Sequence, residues 1–265
     1  MQQDLTGRVA IVTGGAGGIG SAVCRGLAAL GARVAVVDLD AGRAQALAGS
    51  LPGARGYGCD MADEAQVVAV VAAVLGDFGR IDILDNNAAL LTPQTAQADR
   101  DIAGMDTALW DQTFAVNLRG AMIAARECLR AMERQGSGVI VNTASNLALQ
   151  GQVIQAAYAA SKAGLIQMTR SIATSHGKRG IRCNAVLPGL TGTEAALAHL
   201  PARLRAVVEE ETLTPYLGHP DDIAAMVVFL CTDAARYVTG QAIPVDGGTS
   251  AHVPGFARLS EFFAA

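Results

Sequence analysis

The feature that most constrains the fold is a glycine-rich segment between a predicted strand and a predicted helix. Arg8 to Thr13 form a largely β-branched run, and apolar residues at helical spacing follow from Ile19 to Leu30. The segment that joins them reads Thr13-Gly14-Gly15-Ala16-Gly17-Gly18-Ile19-Gly20. A second apolar run, Arg33 to Asp38, predicts a strand buried on both faces. This order predicts a βαβ unit with two parallel strands.

The alternation of strands and helices continues along the chain and predicts a doubly wound parallel sheet with helices on both faces. No repeat, linker or low-complexity block marks a domain boundary, so we expect a single domain over 1–265, with a core of about 7–248 and a tail of 249–265. The further predicted elements are helices over Glu64–Phe78, Leu109–Glu133 and Tyr158–Lys178, and strands over Ile81–Asn86, Val139–Thr143 and Ile181–Leu187.

Charge and composition argue against several classes of partner. The net charge is −4, which gives no positive field to attract nucleic acid or an anionic membrane. The N-terminus lacks a signal pattern and no apolar run approaches ~20 residues, so we expect a cytoplasmic protein. The five cysteines are scattered without metal-ligand spacing, which predicts buried reduced thiols and no metal site.

The glycine segment predicts a dinucleotide site because unpaired N–H groups at a helix N-terminus can bind a pyrophosphate. Asp38 ends the next strand, where its carboxylate can accept hydrogen bonds from ribose hydroxyls and would repel a 2′-phosphate. No basic residue follows Asp38 directly, although Arg43 lies five positions on. These features favour NAD(H); the alternative is that Asp38 caps a helix starting near Ala41.

Tyr158 and Lys162 are four residues apart, so a helix would place them on one face. A free tyrosine has a pKa of ~10, and using it as a base at neutral pH requires ~4 kcal/mol of phenolate stabilisation, at ~1.4 kcal/mol per pKa unit. A neighbouring ammonium acts in the required direction. The pair alone is common on helix surfaces, so its meaning depends on the motifs around it.

In combination, these motifs resemble those of the short-chain dehydrogenase/reductase family. The resemblance spans about Gly7 to Gly248 and implies a Rossmann fold with a central parallel seven-stranded sheet. Its motifs, in order, are Thr13–Gly20, Asp60, Asn86-Asn87-Ala88, Asn117-Leu118-Arg119-Gly120, Ser145, Tyr158–Lys162, Pro188-Gly189 and Val245-Asp246-Gly247-Gly248. Two positions depart from the family pattern: Ala89 replaces a usual glycine, and Asp85 replaces a usual apolar residue.

The resemblance implies a role for each matched residue. Tyr158 would be the acid/base, Ser145 would bind the substrate oxygen, Lys162 would lower the tyrosine pKa and bind the nicotinamide ribose, and Asn117 would hold a water. The cofactor-binding residues implied are Gly14, Gly17, Gly18, Ile19, Gly20, Asp38, Leu39, Asp60, Met61, Asn87, Ala88, Tyr158, Lys162, Pro188, Gly189, Thr191 and Thr193.

Three segments are expected to wall the substrate pocket: 90–108, 146–155 and a lid within 191–215. The second contains neutral polar and apolar residues but no arginine or lysine, which predicts a neutral, largely apolar secondary alcohol or ketone as substrate. The glutamines of that segment could equally face solvent. The two long helices carry many small residues, and the family resemblance implies that such helices form subunit interfaces, so we expect a homotetramer. Three of the six phenylalanines lie in the tail, which either packs at a subunit interface or frays.

Two other functions remain open. A 3-oxoacyl-carrier-protein reductase would share most of these motifs, would use NADPH, and could meet an acidic carrier through Arg130 and Arg179. Asp38 argues against it. A catalytically silent nucleotide-binding scaffold is the second alternative, and the presence of both Tyr158 and Lys162 argues against that one.

Overall fold

The computed structural model describes residues 4–264 and is built around one sheet of seven parallel strands. The strand order is β3-β2-β1-β4-β5-β6-β7, which confirms the predicted doubly wound sheet. The strands are β1 Val9–Thr13, β2 Arg33–Asp38, β3 Arg55–Gly58, β4 Ile83–Asn86, β5 Gly138–Thr143, β6 Ile181–Pro188 and β7 Ala242–Val245.

Helices cover both faces of this sheet. They are α1 Gly18–Ala29, α2 Ala41–Gly49, α3 Glu64–Phe78, α4 Pro93–Ala98, α5 Thr107–Phe114, α6 Ala121–Gln135, α7 Ala156–His176, α8 Glu194–His199, α9 Ala202–Glu210, α10 Pro220–Cys231 and α11 Phe256–Ala264. None of these helices is long and apolar enough to cross a membrane, within the residues described.

Side chains of the central strands alternate between two apolar layers. Ile11 of β1 packs in the layer that includes residues of α3 and α6, whereas its neighbour Val12 packs in the layer that includes residues of α1 and α10. All five residues of β1 are buried, as expected for a parallel strand covered on both faces. All five cysteines are also buried and unpaired, as predicted.

The predicted elements agree with the structure where the apolar pattern is long. β2 and α3 have the predicted bounds, and β1, β4, β5 and β6 differ from prediction by one or two residues at an end. β3 and β7 were not located individually, because these four-residue edge strands contain glycine or proline and show no clear alternation.

The predicted helix over Leu109–Glu133 is interrupted by a π-helical turn, Ala115–Gly120. Gly120 ends this turn against the loop before α3, where a Cβ would overlap the carbonyl of Met61. Turns of this type recur at functional sites. Here the turn carries Asn117, one of the predicted catalytic residues.

The carboxyl ends of the strands form one edge of the sheet. β1 lies between β2 and β4, so the strand order reverses there and opens a crevice of the type that binds ligands in such sheets. The glycine loop follows β1, Asp38 ends β2, Asn87 follows β4 and Ser145 lies two residues after β5. The predicted cofactor and catalytic residues therefore meet at this edge.

Candidate active site

The two residues of the predicted catalytic pair lie together in the first turns of α7. The Lys162 ammonium nitrogen is 5.6 Å from the centre of the Tyr158 ring. The same Nζ donates to the carbonyl of Thr143 at 2.6 Å, and the lysine side chain is fully buried. Ser145 is buried beside them, and its hydroxyl hydrogen-bonds the Tyr158 side chain. The structure thus brings together three of the four predicted catalytic residues.

The fourth residue, Asn117, is connected to the backbone of Tyr158 by a chain of hydrogen bonds. Its Oδ1 accepts from the Leu90 backbone N–H at 2.7 Å, and its Nδ2 donates to the Ser161 hydroxyl at 3.1 Å. The Ser161 hydroxyl in turn donates to the Tyr158 carbonyl at 2.7 Å. Asn117 therefore supports both the start of the 90–108 segment and the backbone of α7.

Burial dominates the protonation of the pair. It raises the pKa of Tyr158 to about 12, with the Ser145 hydrogen bond acting in the opposite direction. It lowers the pKa of Lys162 to about 8, partly offset by the negative charge of Asp85. At neutral pH Tyr158 is therefore a neutral hydroxyl, and Lys162, with a pKa of about 8, is mostly an ammonium.

Asp85 is a fully buried carboxyl near this pair, and its partner is Thr143. The Thr143 hydroxyl donates to Asp85 Oδ1 at 3.4 Å, while Oδ2 has no hydrogen-bond partner among the described residues. Burial raises the pKa of Asp85 to about 7, and Thr143 and the Lys162 charge only partly counteract it. Thr143 therefore contacts Asp85 with its side chain and Lys162 with its carbonyl, a link that the sequence did not indicate.

The glycine loop is shaped by close approaches that exclude side chains. Gly14 has a φ of +61°, and a Cβ there would lie 2.9 Å from Ala88 Cα. A Cβ on Gly18 would lie 2.6 Å from the Thr193 methyl, so the start of the lid touches the loop. The Asn87 side-chain amide donates to the Thr13 and Gly14 carbonyls at 3.0 and 3.1 Å, which braces the loop from β4.

Helix α1 begins directly after this loop, and no side chain caps its N-terminus. Backbone N–H groups in its first turn are available to a ligand for that reason. The loop has no Cβ where a diphosphate would approach, and the first helical turn supplies donors. These residues fit the diphosphate of a nicotinamide dinucleotide.

Asp38 contacts the loop and does not cap a helix. Its Oδ2 accepts from the Ala16 N–H at 2.9 Å, and its Oδ1 accepts from the Asp40 N–H at 3.1 Å. The cap of α2 is Asp40, whose carboxylate accepts from the Arg43 N–H. The capping alternative for Asp38 was therefore wrong. The Arg43 guanidinium donates to the Ala16 carbonyl at 2.7 Å, so it also lies at this end of the crevice.

The other predicted cofactor residues line the same edge of the sheet. Leu39 is 75% exposed beside Asp38, and Met61 is buried under Gly120. The Asp60 carboxylate accepts a hydrogen bond from the Ala62 N–H at 2.8 Å, which restrains the turn after β3.

The segment after β6 is held closely against the end of β7. A Cβ on Gly189 would lie 2.8 Å from Asp246 Cα, and the Thr191 hydroxyl donates to the Gly189 carbonyl. Thr193 caps α8 with its hydroxyl. Pro188, the last residue of β6, begins this segment.

The three predicted wall segments expose apolar side chains. The large apolar residues that they leave exposed are Leu91, Ile102, Leu149, Val153, Ile154, Leu197, Leu204, Val207 and Leu213. Within 146–155, Gln150 and Gln152 are also exposed, and Asn146 donates to the Thr249 hydroxyl at 3.2 Å. The exposed faces of the wall segments therefore carry much apolar surface.

Comparison with known proteins decides the family. A family model described as enoyl-(acyl carrier protein) reductase matches residues 14–250. The chain is also 41% identical over 257 residues to a probable short-chain type dehydrogenase/reductase of Bradyrhizobium diazoefficiens, covering 95% of this chain and 90% of that one. The chain belongs to the short-chain dehydrogenase/reductase family.

Two proteins named as dehydrogenases are also similar over nearly the whole chain. D-threitol dehydrogenase of Mycolicibacterium smegmatis is 39% identical over 250 residues, covering 92% of this chain and 93% of that protein. A structure of 7α-hydroxysteroid dehydrogenase with NADH and 7-oxo glycochenodeoxycholic acid superposes with a TM-score of 0.87 at 29% identity, covering 93% and 96%. The names of these relatives agree on dehydrogenation and differ in the alcohol.

The two departures from the family pattern have different consequences. Ala89 is exposed, and its methyl therefore has room. Asp85 is fully buried with one oxygen unpaired, which is costly for a carboxylate. Only Asp85 is therefore expected to affect stability.

We predict that Asp85→Asn will change how stability depends on pH. The folded-state pKa of Asp85 is raised, so its contribution to stability is fully present below the unfolded pKa of 3.8 and is lost as pH rises to about 7. Asn keeps an acceptor for Thr143 but does not titrate. The variant should therefore gain about 1–3 kcal/mol in free energy of unfolding relative to wild type between pH 4 and 8.

Asp82 supplies the matched control for this measurement. It is equally buried, but Arg80 and the Val9 N–H bind its carboxylate. Burial opposes ionisation, yet these bonds hold the pKa of Asp82 below its usual value. Asp82→Asn should therefore be less stable than wild type, most clearly at neutral pH. Parallel stability curves for wild type and Asp85→Asn would contradict the prediction.

Proposed function

We propose that this protein is an NAD(H)-dependent oxidoreductase that interconverts a neutral, largely apolar secondary alcohol and its ketone. The observation that carries the proposal is the grouping of buried Ser145 and Lys162 with half-buried Tyr158 at the same sheet edge as the glycine loop. A hydroxyl pair that can bind a substrate oxygen thus lies beside a loop that fits a dinucleotide. The dehydrogenase names of the relatives support the same class of reaction.

The residues of this chain would handle the proton. In ketone reduction, the Ser145 and Tyr158 hydroxyls donate hydrogen bonds to the carbonyl oxygen, and Tyr158 transfers its proton to that oxygen. In alcohol oxidation, the Tyr158 phenolate accepts the hydroxyl proton, and the Lys162 ammonium stabilises the phenolate. The bound nicotinamide supplies or accepts the hydride. Asn117 would hold α7 in place through Ser161 and, as the family resemblance implies, a water.

Asp38 is the basis for proposing NAD(H) rather than NADP(H). Its carboxylate lies against the glycine loop at the end of β2, where the adenosine ribose would bind. A 2′-phosphate there would meet a negative charge. Arg43 is the one nearby cation noted from the sequence, and its guanidinium already donates to the Ala16 carbonyl.

The apolar side chains of the wall segments support a largely apolar substrate. Leu149, Val153 and Ile154 are exposed in the segment that follows Ser145. This segment lacks arginine and lysine, so it offers no ion pair to a substrate carboxylate or phosphate.

The second candidate is a 3-oxoacyl-carrier-protein reductase that uses NADPH; the matching family model is described by a different reductase, one for enoyl groups on the same kind of carrier. The two arginines suggested for a carrier surface are both paired: Arg130 with Glu127 and Arg179 with Glu133. Their charge is thus partly neutralised. This pairing and Asp38 both favour the alcohol dehydrogenase.

We further propose that the chain assembles as a homotetramer in which the tail helix α11 lies at an interface. The His252 ring packs against Phe256 at 4.9 Å and lies 2.7 Å from the Glu211 carbonyl, which fixes the base of the helix beside the lid. Phe262 and Phe263 are 74% and 80% exposed. Such side chains are stabilised when another surface covers them.

Tyr158→Phe should lower kcat for both directions by at least about a hundredfold, because proton transfer by a positioned group contributes roughly 10²–10⁴. The assay follows NADH absorbance with neutral secondary alcohols and ketones, and with hydroxy acids and acetoacetyl thioesters for comparison. Tyr57→Phe is the control, since Tyr57 donates to Asp77 on the surface. Full activity in Tyr158→Phe would contradict the mechanism. A preference for thioesters with NADPH would favour the second candidate.

Asp38→Asn should lower the ratio of kcat/KM for NAD to that for NADP by about tenfold or more, because hydrogen bonds to a charged group contribute roughly 1.5–3 kcal/mol. Asp40→Asn is the matched control two residues away, since asparagine caps helices as well as aspartate does. An unchanged ratio in Asp38→Asn would show that this carboxylate does not set the preference.

The assembly is tested by mass measurement in solution. We expect the mass of four chains for the full protein and a smaller assembly after deletion of 254–265, because Phe262 and Phe263 would lose their covering surface. A stable monomer would refute the tetramer, and an unchanged assembly after deletion would refute the role of the tail.

A further inference from the structure

Asp99 lies in the 90–108 wall, yet its side chain is bound to the catalytic helix. It is 5% exposed. Its Oδ1 accepts from the Ala157 N–H at 3.0 Å, and its Oδ2 accepts from the Tyr158 N–H at 2.9 Å. A buried carboxylate in the substrate wall thus binds the backbone of the predicted acid/base residue itself.

The backbone around Asp99 completes this contact. The Asp99 carbonyl accepts from the Gln155 N–H at 2.7 Å, and the Arg100 carbonyl accepts from the Ala156 N–H at 3.4 Å. Together with the two carboxylate bonds, these satisfy four consecutive N–H groups, from 155 to 158. A helix normally leaves such groups to water or to a capping side chain from its own N-cap. Here the substrate wall supplies all four acceptors.

The residue at the N-cap of α7 cannot hold the helix in this way. Gln155 has a φ of +63°, the one positive value outside glycine among residues 4–264, and its side chain makes no cap hydrogen bond. A left-handed conformation is uncommon for such a residue and persists when surrounding contacts impose it. Here Asp99 binds the N–H group of Gln155 itself through its carbonyl and the N–H groups of residues 157 and 158 through its carboxylate.

We propose that Asp99 is a positioning residue for Tyr158, which it holds through the backbone of the first turn of α7. The inference rests on the proposed function, because it assigns Asp99 a role only if Tyr158 performs the proton transfer. It also links the 90–108 wall to Tyr158, so that a change at Asp99 should affect both substrate binding and proton transfer.

Tyr158 needs such support more than its partner does. Lys162 lies one turn further into α7 and is fixed by the Thr143 carbonyl. Tyr158 lies in the first turn, where helices fray. Its hydroxyl must keep contact with Ser145, and a displacement of ~1 Å of a reacting group can cost roughly a hundredfold in rate.

The 90–108 wall is itself held in place by the contact between Asp99 and α7. Its first residues are held by Asn117, which accepts from the Leu90 N–H, and its middle is held by Asp99 on α7. Loss of the Asp99 carboxylate would leave this middle part attached to α7 only through the Asp99 and Arg100 carbonyls. We therefore expect substrate KM to change together with kcat.

The competing interpretation is that Asp99 is an ordinary helix cap that affects only stability. Asp63 provides the matched control, because it caps α3 with the same chemistry: Oδ1 accepts from the Ala65 and Gln66 N–H groups at 2.9 and 3.3 Å. Asp63→Ala removes a two-bond cap from a helix that carries no predicted catalytic residue.

The experiment compares Asp99→Ala, Asp99→Asn and Asp63→Ala in the full chain, at saturating cofactor and at a temperature well below unfolding. Asp99→Ala should lower kcat roughly tenfold to a hundredfold and raise substrate KM, while the Kd for NADH from fluorescence stays unchanged. Asp99→Asn retains one acceptor and should recover part of kcat. Asp63→Ala should lower the melting temperature and leave kcat unchanged.

The remaining outcomes distinguish the two hypotheses. If Asp99→Ala lowers the melting temperature as Asp63→Ala does but keeps wild-type kcat, Asp99 is only a cap and the inference is wrong. A change in KM alone would mean that Asp99 serves only the wall, which also overturns it. If Asp99→Ala does not fold, the same comparison is made with Asp99→Asn. Activity retained in Tyr158→Phe overturns the proposed function itself, whatever the Asp99 variants show.

Discussion

The structure depends on the burial of a parallel sheet on both faces. Its central strands pair with a parallel neighbour on each side, and the side chains of both faces enter apolar layers. Polar chemistry is therefore confined to the carboxyl edge, where strands end and helices begin. The crevice between β1 and β4, the glycine loop and Ser145 all follow from that confinement.

The chemistry of this edge is set by backbone groups as much as by side chains. The Thr143 carbonyl holds Lys162, and the N–H groups that open α7 are held by the 90–108 wall. The Asn87 amide fixes the glycine loop by binding the Thr13 and Gly14 carbonyls. Orientation at the site thus comes from strand ends and helix ends, which the core keeps rigid.

The sequence predicted those parts of the protein whose signals are local. Long apolar runs located β2 and α3 with their observed bounds, and the spacing of Tyr158 and Lys162 placed them on one helix face. The contact of Asp99 with Tyr158 spans 59 residues, and nothing in the local pattern around Asp99 indicates it. The π-helical turn at Asn117 was missed as well, because apolar periodicity does not distinguish it from an α-helix.

The least expected feature is the direction of the pKa of Tyr158. The spacing of Tyr158 and Lys162 suggested a lowered value, but desolvation by burial is the largest influence on it, and desolvation also lowers the pKa of Lys162. The negative charge of buried Asp85 raises the pKa of Lys162 and so counteracts part of the effect of burial. Burying the Asp85 carboxylate is itself unfavourable, and this raises its own pKa. A carboxyl that weakens the fold can therefore keep Lys162 cationic. This would explain why a charged residue stands where an apolar one would pack better.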